Sequence, residues 1–95
     1  MIYNNVLLTV KAESDVPQIR ELLTEQCRLS REEPGCVRFE VYQSQTDRKF
    51  FVLVEAWESA AALDQHRLAK AYLEIYKPKV LPLVDRTPHP CDLVI

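Results

Sequence analysis

The segment Phe50-Phe51-Val52-Leu53-Val54-Glu55-Ala56-Trp57 constrains the fold of this chain more than any other. Read with the period of a strand, Phe50, Val52, Val54 and Ala56 share one face, and Phe51, Leu53, Glu55 and Trp57 share the other. Both faces are largely apolar, so the strand must be covered twice. Helices can cover one face. In a chain of 95 residues little is left for the second, and a domain of this size buries only about 60–65% of the surface its unfolded chain exposes. A second copy of the chain is the expected cover, which makes a homodimer the expected assembly.

The rest of the sequence supplies the helices and three more strands. Tyr3–Val10 alternates, with Val6, Leu8 and Val10 to one side. Ser14 can cap a helix, and Ile19, Leu22, Leu23 and Cys27 fall at helical spacing from Asp15 onward until Pro34-Gly35 stops it, giving a helix over Asp15–Glu32. Cys36–Gln43 alternates again, placing Val37, Phe39 and Val41 together, and Ser44-Gln45-Thr46-Asp47-Arg48 reads as a hairpin loop. Ser59 can cap a second helix whose inner side carries Leu63, His66, Ala69 or Lys70, Leu73 and Tyr76, ended or bent by Pro78. Lys79–Pro90, with Pro82 and Pro88, reads as a helical turn and loop before a short last strand, Cys91–Ile95. The order strand, helix, strand, strand, helix, strand predicts one α+β domain over residues 1–95, a ferredoxin-like antiparallel sheet with both helices on one face.

Several function classes are excluded by composition. Fourteen acidic and 12 basic residues, the latter scattered without a run, give nucleic acid no general attraction. The longest uncharged apolar stretch, Phe50–Val54, falls far short of the roughly 20 residues of a membrane-spanning helix, and the N-terminus lacks a basic segment followed by an apolar one, so a cytoplasmic protein with no membrane partner is expected. Cys27, Cys36 and Cys91 are odd in number and widely spaced, fitting reduced thiols rather than a disulfide framework or a zinc site. A single glycine, Gly35, rules out glycine-rich phosphate loops.

Two side chains have catalytic potential. His66 stands on the inner side of the second helix, where burial favours a neutral imidazole able to accept a proton; the competing role is a core histidine bonded to a carbonyl or carboxylate. Glu55 lies mid-strand between Leu53 and Trp57, either as a general base or paired in the core, with Arg38 on the neighbouring strand the candidate partner. Trp57 and Phe51 form the flat wall of an aromatic pocket with Tyr72 and Tyr76 across it, or simply pack the core. Cys36 has no basic neighbour in sequence to activate it and reads as a packed residue.

The run Ser30-Arg31-Glu32-Glu33-Pro34-Gly35-Cys36-Val37-Arg38-Phe39-Glu40-Val41, then Asp47–Phe50, Glu55-Ala56-Trp57-Glu58-Ser59 and Leu63-x-x-His66, resembles the antibiotic-biosynthesis monooxygenase family over nearly the whole chain. The resemblance implies a dimer of ferredoxin-like subunits forming a dimeric α/β barrel, with a small cavity in each subunit between sheet and helices. Such families include cofactor-free oxygenases of quinols and polycyclic phenols, haem-degrading oxygenases and isomerases of a phosphorylated signal. Trp57 and His66 match positions that commonly line the cavity, and Glu55 matches the Glu of Glu-x-Trp.

The chain also departs from that pattern. It lacks the second His of quinol-oxidising relatives in His66-Arg67-Leu68-Ala69-Lys70-Ala71-Tyr72, and has Leu53 and Leu63 where polycyclic-phenol oxygenases carry an Asn and a Tyr. The haem-degrading branch has a Trp at the position of His66 and a later His on the same helix, where this chain has only Tyr72 and Tyr76, so haem is disfavoured, and the cofactor-free reading expects no cofactor. The resemblance therefore implies a cofactor-independent oxygenase of a quinol or small aromatic diol. His66 is its base, Glu55 orients His66 or bonds the second hydroxyl, and Trp57, Phe51, Leu53, Leu63, Tyr72 and Tyr76 line the pocket. The alternatives are an isomerase of a small phosphorylated hydroxy-ketone, with Arg38, Arg67 and Lys70 as loose candidates for an anion clamp, and a non-catalytic stress-response dimer that holds a small molecule.

Overall fold

The computed structural model describes residues 1–95. The strands are β1 (Ile2–Val10), β2 (Cys36–Gln43), β3 (Phe50–Trp57) and β4 (Val84–Cys91), and they form one antiparallel sheet in the order β2-β3-β1-β4. Helix α1 (Val16–Ser30) enters through a short 3₁₀ turn, Glu13–Asp15, and ends two residues before the predicted boundary. Neither Ser14 nor Asp15 makes a side-chain capping bond. Its buried residues Ile19, Leu23, Gln26, Cys27 and Ser30 recur at helical spacing and form the stripe that faces the core. This is the ferredoxin-like α+β fold expected from the element order.

The two faces of β3 separate as its pattern requires. Phe51, Leu53, Glu55 and Trp57 are buried towards the helices beside Val6, Leu8 and Val10 of β1. Phe50, Val52 and Val54 on the other face are only half-buried. Ala56 on that face is covered because its small side chain lies between its cross-strand neighbours Tyr3 and Arg38.

Three local expectations are corrected. Val37 does not share a buried face with Phe39 and Val41: Cys36 pairs with Trp57 and Arg38 with Ala56, so Val37 is the extra residue of a β-bulge and is 54% exposed. The second helix is not continuous. Ser59 does cap α2 (Ala60–His66), its hydroxyl oxygen accepting from the Ala62 N–H at 3.1 Å, but the chain breaks at Arg67–Ala69 and resumes as a π-helical segment, Ala71–Val80. The break rotates the later face, so that Ile75, Tyr76 and Val80 are buried while Lys70 and Leu73 are exposed. Pro78, which has no N–H to donate, sits within this irregular segment. Finally, the last strand is Val84–Cys91, not Cys91–Ile95. It is an edge strand paired only with β1, and an edge tolerates Pro88 and Pro90 because their missing N–H groups can lie on its unpaired side.

Candidate active site

The site begins with the turn that follows α1. Glu33-Pro34-Gly35-Cys36 closes with the Cys36 N–H donating to the Glu33 carbonyl at 3.1 Å, and Gly35 has φ +81°. Proline at the second position and a left-handed glycine at the third define a type II turn. The Gly35 carbonyl accepts from the Glu58 N–H at 2.9 Å, tying the turn to the end of β3. A Cβ on Gly35 would stand 2.5 Å from the Ala62 Cβ, so α2 rests directly on the bare glycine. The same sequence that stops α1 thus docks α2 and presents Glu33 to its last residue, His66.

The Glu33–His66 contact is the centre of the site. His66 Nδ1 lies 2.6 Å from Glu33 Oε1, with the imidazole 4% exposed and the Glu33 side chain 15% exposed. With Nδ1–H donating to this carboxylate, the neutral tautomer of the ring carries its lone pair on Nε2, the nitrogen that can accept a proton. The ring is stacked on Trp57 at 4.5 Å between centroids and 33° between planes, with Phe39 and Tyr72 each at 5.8 Å. Three aromatic rings therefore hold the imidazole while one carboxylate sets its tautomer.

Next to His66 an open cleft of about 480 Å³ is lined by Glu33, Pro34, Gly35, Glu58, Ala61, Ala62, Gln65, Leu68 and Ala69. Small side chains from the turn and α2 make its floor. Of the residues expected to form the site, only His66 borders this cleft. Trp57 and Tyr72 touch His66 from within, and Tyr76 continues the row, 5.4 Å from Tyr72. Leu63 is buried on α2 one turn before His66. Leu53 and Phe51 are fully buried further along β3, with Phe51 about 20 Å along the strand from Trp57, outside the ring cluster.

Glu55 is buried in the core and does not border the cleft. Its Oε1 accepts from the Trp57 indole N–H at 3.0 Å, and it makes no hydrogen bond to His66. Burial raises its pKa above 4.5, opposed by the Trp57 hydrogen bond and by the charges of His66, Arg86 and Arg67. Its expected partner Arg38 is elsewhere: it lies on the opposite face of the sheet, bonded to Glu40 at 2.8–2.9 Å. The Tyr76 hydroxyl accepts from Arg86 Nε at 2.9 Å, and burial pushes the phenol up to about 12. Asn4, cross-strand from Glu55, is also buried, with Oδ1 unpaired.

Glu33 is the residue that sequence reasoning missed. Its signal was present, since a type II Pro-Gly turn fixes the direction of the residue before it, but nothing local says what that residue meets. The Cys36 thiol is pushed up to about 11 by burial and by the charges of Glu33 and Glu55, which disfavours the reactive thiolate. No helix is long and apolar enough to cross a membrane.

Comparison with known proteins agrees with this architecture. The sequence profile of the antibiotic biosynthesis monooxygenase family matches residues 1–78. Among solved structures, a protein from Mycobacterium tuberculosis superposes with a TM-score of 0.80 at 27% identity over 100% of both chains. A Bacteroides thetaiotaomicron protein of unknown function, described as a possible oxidoreductase, gives 0.88 at 24% identity over 97% of this chain and 96% of its own. An antibiotic biosynthesis monooxygenase gives 0.86 at 23% identity, over 98% and 99%. An uncharacterised Synechocystis protein is 43% identical over 37 residues, or 39% of this chain, which spans only 25% of that relative's length. The Glu-Pro-Gly-Cys turn, the Glu-x-Trp end of β3 and His66 on α2 all lie within the matched span, and the chain belongs to the antibiotic biosynthesis monooxygenase family.

Proposed function

We propose that this protein is a cofactor-independent monooxygenase of a quinol or small aromatic diol, with His66 as general base and Glu33 as the residue that orients it. The observation that carries this reading is the 2.6 Å contact between Glu33 Oε1 and His66 Nδ1 at the wall of an open cleft. Nε2 of His66 takes a phenolic proton from a diol bound in the cleft. The resulting phenolate passes one electron to dioxygen, and the radical pair recombines to a carbon–oxygen bond. Loss of water across the O–O bond leaves a hydroxyquinone, so that diol and dioxygen balance hydroxyquinone and water and no external reductant is consumed. The proton held on His66 leaves with that water. As the imidazolium forms, Glu33 offsets its charge, and the stacked rings of Trp57, Phe39 and Tyr72 keep the inner side of the base dry.

Glu55 and the other inner residues support this site from behind, Glu55 by fixing the Trp57 indole against which His66 stacks. The active form is a cytoplasmic homodimer whose subunits meet through the outer sheet face. Half-buried Leu7, Phe50, Val52 and Val54 and exposed Tyr42 support that assignment.

A phosphorylated hydroxy-ketone is less well served. No Lys or Arg lines the cleft, Arg38 is paired with Glu40 across the sheet, Arg67 leans towards Asp64 at 3.8 Å and Lys70 is exposed. The test is oxygen uptake by metal-free protein across a quinol and catechol panel. Substrate-dependent uptake above the autoxidation rate is expected; none across the panel refutes the proposal.

A further inference from the structure

The cleft beside His66 carries charge of one sign. Apart from the imidazole, its ionisable groups are Glu33 and Glu58. Glu33 is committed to His66 Nδ1, so its charge is met as the base protonates. Glu58 is different: it is exposed, and its carboxylate has neither an ion-pair nor a hydrogen-bond partner. Its Oε2 stands 3.8 Å from the point a Cβ on Gly35 would occupy, so it overhangs the bare glycine on the cleft floor. No Lys or Arg lines the cleft to neutralise it. Arg31 donates to the Phe39 carbonyl at 2.8 Å, and Arg67 is drawn to Asp64.

Building on the reading of this cleft as the substrate site, we infer that Glu58 is a specificity residue selecting aromatic diols that carry an ammonium group and rejecting those that carry a carboxylate or phosphate. His66, Gly35 and Glu58 line the same cleft, and the Glu58 carboxylate stands beside Gly35, so a diol held there with one hydroxyl at His66 would have a short substituent within reach of Glu58. An ammonium there gains an ion pair with a carboxylate that has no other partner. An anionic substituent meets uncompensated like charge at the same place, and a methyl group meets neither.

The test uses the aminoethyl, methyl and carboxymethyl derivatives of catechol, titrated into the parent protein and Glu58→Gln by calorimetry without oxygen, and then assayed for oxygen uptake. At low ionic strength the parent should bind the aminoethyl compound about tenfold more tightly than the carboxymethyl one, the size expected for unit charges a few ångströms apart at a protein surface. The difference should shrink in high salt and nearly vanish in Glu58→Gln, with the methyl compound little affected. Equal affinities in the parent, or an order that Glu58→Gln leaves intact, overturn the inference. Charge-ordered binding without oxygen uptake refutes the oxygenase reading alone. Uptake without charge order refutes the specificity role alone, and no binding by any of the three refutes both.

Discussion

His66 Nδ1 and Glu33 Oε1, 33 residues apart in sequence, meet at 2.6 Å where the turn after α1 touches the end of α2. The pairing separates two kinds of damage. His66→Ala removes the proposed base and should lower turnover by about 10²–10⁴-fold. Glu33→Gln keeps the size and a hydrogen-bonding oxygen but not the charge that supports an imidazolium, and should lower kcat by about 10²-fold with KM little changed. Steady-state oxygen uptake measures both. A Glu33→Gln enzyme with unaltered kcat would show that the contact is structural only.

The raised pKa of Glu55 makes stability depend on pH. Below the ordinary value of 4.5 its carboxyl is protonated whether the chain is folded or unfolded. As pH rises above 4.5 the unfolded chain loses this proton first, so the unfolded state binds fewer protons and folded stability falls until the buried group also ionises. Glu55→Gln keeps an acceptor for the Trp57 indole and removes the ionisation. Its thermal midpoint should exceed that of the parent at pH 7 and converge with it below pH 4.5, as read by circular dichroism across that range.

Gly35→Ala should be costly. The new side chain would adopt φ +81° and place its Cβ 2.5 Å from the Ala62 Cβ, on a helix that cannot retreat without leaving the turn. A loss of about 2–3 kcal/mol in urea unfolding is expected from the left-handed backbone and the overpacked contact together.

The three thiols should separate cleanly under alkylation. Cys91 is exposed at the end of β4, Cys27 is buried with its thiol donating to the Phe39 carbonyl, and the Cys36 thiol is pushed up to about 11. At pH 8 iodoacetamide should modify Cys91 promptly, and the other two only after denaturation, as followed by mass spectrometry.

Val54→Asp tests the outer sheet face. Val54 sits half-buried between Asn5 and Glu40, and a carboxylate buried without a partner in the proposed subunit interface would cost about 2–5 kcal/mol. The parent should elute as a dimer and the variant as a folded monomer.

Local chemistry was enough to place most of this architecture. Alternation in Phe50–Trp57 assigned each face of the central strand, Ser59 marked the start of α2, and Pro34-Gly35 marked the end of α1, because strand period, capping and turn preference act over two to four residues. Three features were decided only by long-range contact. Pro88 argued for a loop until β4 proved to be an edge strand with one neighbour. Val37 fitted an inward face until pairing with β3 forced it into a bulge. His66 could be placed on the inner side of α2 from spacing, but its partner could not, since Glu33 reaches it only when the Pro-Gly turn and α2 pack together. A hydrogen bond between groups this far apart in the chain depends on how whole elements dock, and no local pattern of residues encodes that distance.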